Sequence, residues 1–177
     1  KQSLTDLDKM FVLISREREV ADAPGARPLD VREAAVRFEH VDFAYDPSGK
    51  KARQILFDVS FEIPGGKTVA VVGPSGSGKS TLARLLYRFY DVGAGSIRID
   101  GQELRSVTQD SLRRAIGIVP QDTVLFNDSI GYNIAYGRPG ASREEIEAAA
   151  RAAHIHDFIV AQPLGYDTVV GERGLKL

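Results

Sequence analysis

The sequence lacks several features that would define whole classes of protein. It contains no cysteine, which excludes disulfides, thiolate metal sites and cysteine nucleophiles and fits a reducing compartment. Its net charge is −1, so the charge balance gives no reason to expect nucleic acid or an anionic membrane surface as a partner. The longest apolar runs, Phe11–Ile14 and Val69–Val72, are far too short to span a bilayer. With 43% hydrophobic and 27% charged residues, the chain has the composition of an ordinary globular domain.

The N-terminal part differs in pattern from the rest. No signal peptide is visible and the first residue is Lys1 rather than Met, so we expect a piece of a longer polypeptide. Apolar residues at helical spacing predict an amphipathic helix over residues 4–18. The Pro/Gly-rich stretch 21–30 predicts a linker. The expected division is a linker helix and connector over 1–33, followed by a domain over 34–177.

A mixed α/β order is predicted for that domain. Alternating apolar residues predict strands over 36–45, with a break near His40, and over 55–63. A short Gly-flanked strand is predicted within 93–101. The continuous apolar runs 68–72 and 115–120 are typical of strands buried on both faces of a parallel sheet. Helices are predicted after residue 78, over 108–114, and from the capping box of Ser142 and Glu145 to about residue 153.

The loop between the predicted strand 68–72 and the next helix carries the strongest chemical signal. Its sequence, GPSGSGKS over Gly73–Ser80, matches G-x-x-x-x-G-K-[ST] at every fixed position. Glycines let backbone N–H groups approach phosphate oxygens, and the helix N-terminus favours the same anion. The alternative is a Gly-rich turn with an incidental lysine. The motif predicts phosphate contacts from Gly73, Ser75, Gly76, Ser77, Gly78, Lys79, Ser80 and Thr81, with the Ser80 hydroxyl on Mg²⁺.

Two further segments narrow the function. The stretch VDFAYDP lies about thirty residues before the loop, and its last apolar residue is the aromatic Tyr45. The stretch IGIVPQD places Gln121 just past the run 115–120. Taken singly, Tyr45 is equally an ordinary strand aromatic and Gln121 an ordinary loop residue. In this order and together with the loop, they resemble the nucleotide-binding domain of ABC transporters. The resemblance implies that Tyr45 stacks on the adenine of ATP and that Gln121 contacts Mg²⁺ and senses the membrane domain.

The resemblance extends over essentially the whole chain and points to one branch of the family. The stretches LFNDSIGYNIAYGRPGAS and GYDTVVGERGLKL are similar to exporters with membrane and nucleotide domains in one polypeptide. They look most like the mitochondrial-type subgroup, which handles glutathione-linked, iron–sulfur-related or heavy-metal cargo. Glu172, in VGERG, matches an exporter motif that contacts the intracellular loops of the partner subunit. The alternative for Glu172 is a solvated charge in a Gly-flanked turn.

Several elements that the family needs are not found between residues 1 and 177. No apolar strand ends in Asp-Glu, and the signature SGG is expected only after Leu177. The predicted fold class is therefore an α/β P-loop NTPase core with an antiparallel β-subdomain and the start of the helical subdomain, truncated before the signature motif. By themselves these residues are expected not to hydrolyse ATP at a useful rate. His154 and His156 are predicted to point about 200° apart on one helix and so cannot share a metal.

Two functions of different classes remain open at this stage. The first is the ATP-binding part of an exporter that couples ATP binding and hydrolysis to export, with ATP and Mg²⁺ as ligands. The second is a nucleotide-binding or assembly fragment without turnover of its own; a P-loop kinase is a distant third. The resemblance implies as partners the chain's own transmembrane domain and a second nucleotide-binding domain, and no nucleic acid. It implies a location on the cytoplasmic face of a bacterial inner membrane, or on the matrix face of the mitochondrial inner membrane.

Overall fold

The structure is a computed structural model that describes residues 20–45, 53–121 and 124–171. The predicted helix over 4–18 lies outside these ranges. Contacts divide the chain into two compact units, one ending at Gly117 and the other beginning at Ile118. The strands are β1 (Val36–Ala44), β2 (Gln54–Ile63), β3 (Ala94–Ile99), β4 (Gln102–Glu103), β5 (Asp128–Ser129) and β6 (Val169–Val170). The α-helices are α1 (Lys79–Leu86), α2 (Gln109–Ala115), α3 (Ile130–Ala135), α4 (Arg143–Ala152) and α5 (His156–Val160).

A helix that crosses a bilayer must be both long and apolar. In the part of the chain that the structure describes, no helix meets both requirements.

The first unit is built on an antiparallel sheet with the strand order β2-β1-β3-β4. Strand β1 pairs with β2 on one side and with β3 on the other, so the strands predicted over 36–45 and 55–63 are confirmed. Phe38 lies opposite Phe61 in this ladder, and the two rings stack with centroids 4.5 Å apart. Such cross-strand aromatic pairs stabilise a sheet and fix its register.

The predicted break near His40 is a bulge in this sheet. His40 has φ 48° and Asp58, on the paired strand, has φ 49°, so both residues adopt the left-handed conformation. The register shifts between the pairs Phe38–Phe61 and Val41–Val59. Gly95, with φ 78°, packs against the bulge so closely that a Cβ there would lie 2.2 Å from the carbonyl oxygen of His40. This close approach of two backbones is why β3 has a glycine at position 95.

One apolar core lies between the sheet and the helices of the first unit. It includes Phe38 and Val41 from β1, and Leu85 from α1 is 1% exposed at its centre. Leu112 of α2 is also fully buried. Burial of Leu85 explains how α1 is held: its apolar residues recur at helical spacing and face the sheet. The helix begins at Lys79, directly after the Gly-rich loop.

The segment 20–35 is attached to the first unit at several points. Arg88, which is 2% exposed, donates to the carbonyl oxygen of Ala21 at 3.0 Å and lies 3.6 Å from the Asp22 carboxylate. Farther along, Leu29 N–H donates to Ser111 Oγ. The Asp100 carboxylate accepts four backbone N–H bonds of 2.7–3.1 Å, from Arg32, Glu33, Ala34 and Ala35.

The second unit has its own core and a short β-pair. Strand β5 pairs with β6, and the core contains Ile130, Ala150, Ile159, Tyr166 and Val170. The predicted capping box is confirmed, since Ser142 Oγ accepts from Glu145 N–H and the Glu145 carboxylate accepts from Ser142 N–H.

The two neighbouring histidines do not lie on one helix, which corrects the sequence-based expectation. His154, with φ 57°, follows the end of α4, whereas His156 begins α5. The left-handed residue ends α4, and the chain starts a new helix two residues later. His156 Nδ1 forms a 2.8 Å hydrogen bond with the hydroxyl of the buried Tyr166. Among the described residues there is no cluster of three potential metal ligands of the His, Cys, Asp or Glu type.

Two predicted buried strands are wrong. Residues 68–72 form no strand, and Val72 is 88% exposed. The run 115–120 begins with the last residue of α2 and then has no regular structure, with Val119 94% exposed. Apolar β-branched residues favour a strand, but a strand forms only where a neighbour completes the hydrogen-bond ladder. Among the described residues, neither run pairs with a strand.

Candidate nucleotide-binding site

The candidate site is the loop Gly73–Gly78 and the helix that follows it. The loop is exposed up to Ser77 and then enters α1 through Gly78. Gly78 is the N-cap residue of α1 with φ 92°, and Gly76 has φ 81°. Both values lie in the left-handed region that side-chain-bearing residues avoid. The loop therefore makes two sharp reversals immediately before a helix N-terminus, where anions are favoured.

Gly78 also anchors the loop to the sheet. It is buried, and a Cβ at this position would lie 2.7 Å from Leu56 Cδ2. Leu56 is a core residue of β2. The absence of a side chain at Gly78 thus allows the start of α1 to approach β2 closely, which fixes the loop on the rigid part of the unit.

Lys79 folds back across the loop. Its Nζ donates to the carbonyl oxygens of Gly73 at 2.8 Å and Pro74 at 2.7 Å, and it lies 3.5 Å from Ser77 Oγ. Because an ammonium group has three donors and no acceptor, these contacts hold its positive charge against the oxygen atoms of the loop itself. The neighbouring Ser80 is exposed in the first turn of α1. A cation and an exposed hydroxyl therefore lie side by side where phosphate and a divalent metal are predicted.

Tyr45 lies beside the same helix. Its hydroxyl is 3.0 Å from Thr81 Oγ1, and Thr81 is only 5% exposed. Its ring makes edge-to-face contacts with Phe43 and Tyr90 at centroid distances of 5.0 and 5.2 Å. The residue remains 39% exposed. The structure thus brings together Tyr45 and the loop helix, which are 34 residues or more apart in the sequence.

A surface cavity of about 390 Å³ opens next to Tyr45. This volume is within the usual range for small-ligand sites. Its wall is formed by Val20, Asp42, Phe43, Ala44, Tyr45, Gln54, Tyr90, Asp91, Val92 and Gly93. Tyr45 is therefore accessible from solvent on the side of this cavity.

One contact in the site was not foreseen from the sequence. Arg84 Nη1 donates to the Tyr45 hydroxyl at 3.1 Å, and its guanidinium carbon lies 5.9 Å from the centre of the ring. Arg84 is three residues after Thr81 on α1, so both side chains lie on the same face of the helix. That spacing is the only signal in the sequence, and it becomes meaningful only once Tyr45 is known to lie there.

The remaining predicted site residues stay predictions. Gln121 belongs to the second unit, where it lies exposed in a bend. Glu172 lies outside the described residues. Their suggested roles at Mg²⁺ and at the intracellular loops are untested.

The chain was next compared with known families. The family described as "ABC transporter" matches residues 56–172, which is well over half of the chain. The chain belongs to the ABC transporter family. The match includes the loop, α1 and Gln121, so the family predicted from the sequence is confirmed.

Individual relatives identify the exporter branch. Over all 177 residues the chain is 60% identical to the "ATM1-type heavy metal exporter" of Novosphingobium aromaticivorans, of which it covers 28%. It is 58% identical over 172 residues to human "ATP-binding cassette sub-family B member 6", with 97% of the chain and 20% of that protein covered. A solved "bacterial Atm1-family ABC exporter with ATP bound" matches with TM-score 0.90 and 60% identity, covering 99% of the chain and 30% of that protein.

These matches confirm the predicted subgroup and fold class. The chain has the mixed α/β fold of an Atm1-family nucleotide-binding domain, including the antiparallel sheet. It spans less than a third of the relatives' length.

Proposed function

We propose that this chain is the ATP-binding part of an exporter that uses ATP binding and hydrolysis to move cargo across a membrane. The observation that carries the proposal is the geometry of Lys79, whose ammonium group is held across a loop with two left-handed glycines at a helix N-terminus. This arrangement suits the triphosphate of a nucleotide, because backbone donors, the helix dipole and a fixed cation all favour the same anion.

The residues present fit ATP with Mg²⁺. Lys79 would contact the terminal phosphates, and the exposed Ser80 hydroxyl would hold the metal. That Gln121 is a further oxygen ligand is proposed from the family resemblance alone. Bound Mg²⁺ would neutralise charge that develops on the phosphates during transfer. Tyr45 would stack on the adenine, since its ring is partly exposed beside the same helix.

The coupling partners follow from the family. We propose that the protein acts with its own transmembrane domain and a second nucleotide-binding domain, that it lies on the cytoplasmic or matrix face of the membrane, and that Glu172 contacts the partner's intracellular loops. The names of two relatives, a heavy metal exporter and an iron–sulfur clusters transporter, support heavy-metal or iron–sulfur-related cargo. Glutathione-linked cargo is proposed from the family resemblance alone.

The test replaces the lysine in the full-length protein that carries this chain. We expect Lys79→Ala to abolish ATP binding measured by calorimetry, because each charge-assisted hydrogen bond it supplies is worth about 1.5–3 kcal/mol. The matched control is Lys67→Ala, an exposed lysine in the turn before the loop, which should bind ATP as the wild type does. Equal affinities for the wild type and Lys79→Ala would refute the proposal.

A further inference from the structure

We propose that Arg84 is a positioning residue for nucleobase binding: it fixes the orientation of the Tyr45 ring and thereby sets the affinity for the base, while leaving the phosphate contacts unchanged. The inference rests on the proposed function, in which Tyr45 carries the base. It adds a role for a residue that the loop motif does not include.

The first step is the direction of the hydrogen bonds at the Tyr45 hydroxyl. A guanidinium group only donates, so the phenol oxygen accepts from Arg84 at 3.1 Å. The phenol proton is then available for Thr81 Oγ1 at 3.0 Å. One hydroxyl is thus held by an acceptor and a donor at once, which fixes the position of the phenol oxygen more tightly than either bond alone. Because this oxygen lies on the axis about which the ring turns, the ring plane is set by the guanidinium carbon 5.9 Å from the ring centre.

The second step is that both partners belong to one rigid element. Thr81 and Arg84 lie on the same face of α1, and α1 is fixed by Leu85 in the core. The same helix begins with Lys79. The Tyr45 ring, which follows β1 in the chain, is therefore also positioned relative to the phosphate-binding lysine through a single short helix.

The third step is that the rest of the environment leaves the ring partly unrestrained. Phe43 and Tyr90 contact it edge-to-face, and 39% of the residue is exposed. Stacking on a base requires a particular ring plane, and an aromatic residue held in advance binds with a smaller entropy loss. Loss of Arg84 should therefore weaken binding of the base without changing the phosphate loop.

The experiment compares two ligands in the full-length protein. ATP carries base and phosphates, whereas inorganic tripolyphosphate with Mg²⁺ carries phosphates alone. We expect Arg84→Met to weaken ATP binding by about three- to tenfold, the effect of one lost hydrogen bond. Tripolyphosphate affinity should stay within about twofold. In steady-state hydrolysis, KM for ATP should rise while kcat is retained, as for an interaction present equally in the ground and transition states.

A double-mutant cycle separates positioning from general stabilisation. If Arg84 acts through the Tyr45 hydroxyl, Arg84→Met in a Tyr45→Phe background should add almost nothing to the loss caused by Tyr45→Phe. Arg84→Lys, which keeps a charged donor, should restore part of the affinity. The control is Arg151→Met, an exposed arginine paired with Glu147 on α4, which should match the wild type.

Each contrary result has a distinct meaning. Additive losses in the cycle, or equal losses for ATP and tripolyphosphate, would overturn the role of Arg84. Wild-type ATP affinity in Arg84→Met would overturn it as well, while leaving the proposed function intact. If the wild type bound neither ligand, the proposed function would fail together with this inference.

Discussion

At the scale of single residues, Asp100 shows how backbone hydrogen bonds shift the pKa of a carboxylate. Hydrogen bonds from the backbone N–H groups of Arg32, Ala35, Ala34 and Glu33 to this carboxylate lower its pKa to about 2. Such bonds stabilise only the ionised form. The carboxylate thus holds the start of β1 and the end of the linker in the conformation that the structure shows.

This cause predicts a pH dependence of folding. Because the folded-state pKa of Asp100 is below that of the unfolded chain, its stabilising effect is complete above about pH 4 and disappears as the pH falls towards 2. We expect Asp100→Asn to be less stable than the wild type at neutral pH, and the difference to shrink through this window. Urea denaturation between pH 2 and 7 measures it. A difference that stays constant with pH would contradict the prediction.

The sequence singles out individual residues where a motif fixes them. The loop residues and Tyr45 carry family patterns, and Tyr45 lies beside the loop helix, but their roles at a nucleotide stay predictions. Arg84 and Asp100 carry no such signal. Their importance comes from partners 39 and 65–68 residues away, and an exposed arginine or a turn aspartate looks ordinary until the fold brings those partners close.

At the scale of secondary-structure elements, β3 shows how a single backbone contact shapes a sheet. Gly95 and Gly101 stand near its two ends, with φ of 78° and 75°. A Cβ at Gly95 would meet the His40 carbonyl, whereas a Cβ at Gly101 would find nothing within 4 Å. Both positions require a left-handed backbone conformation, but only Gly101 has room for a side chain.

Replacing each of these two glycines by alanine separates the cost of backbone strain from the cost of steric crowding. Gly101→Ala should lower the free energy of unfolding by about 1–2 kcal/mol, the cost of a left-handed alanine. Gly95→Ala should lower it by about 1–3 kcal/mol more, because the sheet must shift to admit the methyl group. Chemical denaturation of the two variants gives the comparison. Equal losses of unfolding free energy in the two variants would mean that the bulge at His40 shifts without a cost in stability, which would contradict the prediction.

Elements were predicted correctly where the pattern is local and failed where it depends on a neighbour. Strands β1 and β2, the bulge at His40 and the cap of α4 follow from alternation and side-chain capping within a few residues. The runs 68–72 and 115–120 have equally strong apolar patterns, but pairing between strands is a long-range property. Periodicity records which residues favour a strand and carries no information about whether a partner strand is beside them.

At the scale of the whole molecule, Arg88 connects the segment 20–35 to the rest of the first unit. Its side chain is almost fully buried and donates to Asp91, Val107 and Ala21. The charge is compensated by Asp91 at 2.9 Å and Asp22 at 3.6 Å. A buried guanidinium with three partners is costly to remove, because each partner loses a charged donor.

Loss of this residue should release the linker. We expect Arg88→Met to lower the free energy of unfolding by about 1.5–3 kcal/mol and to speed amide hydrogen exchange around residues 20–27. The control is Arg32→Met, which removes an exposed linker arginine paired with Asp30 and should stay within about 0.5 kcal/mol of the wild type. Unchanged exchange near residue 22 in Arg88→Met would show that other contacts hold the segment.

The linker attachments also determine how tension would enter the molecule. They occur in series along the chain, at Gln109, Arg88, Val107, Ser111, Gln102 and finally Asp100. A pull at residue 20 would load Gln109 first, because its side chain donates to the Val20 carbonyl oxygen; Arg88 would follow, and the later contacts would then break one at a time. Because Gln109 begins α2 and Arg88 lies two residues after the end of α1, the force would reach these two helices before it reached the sheet.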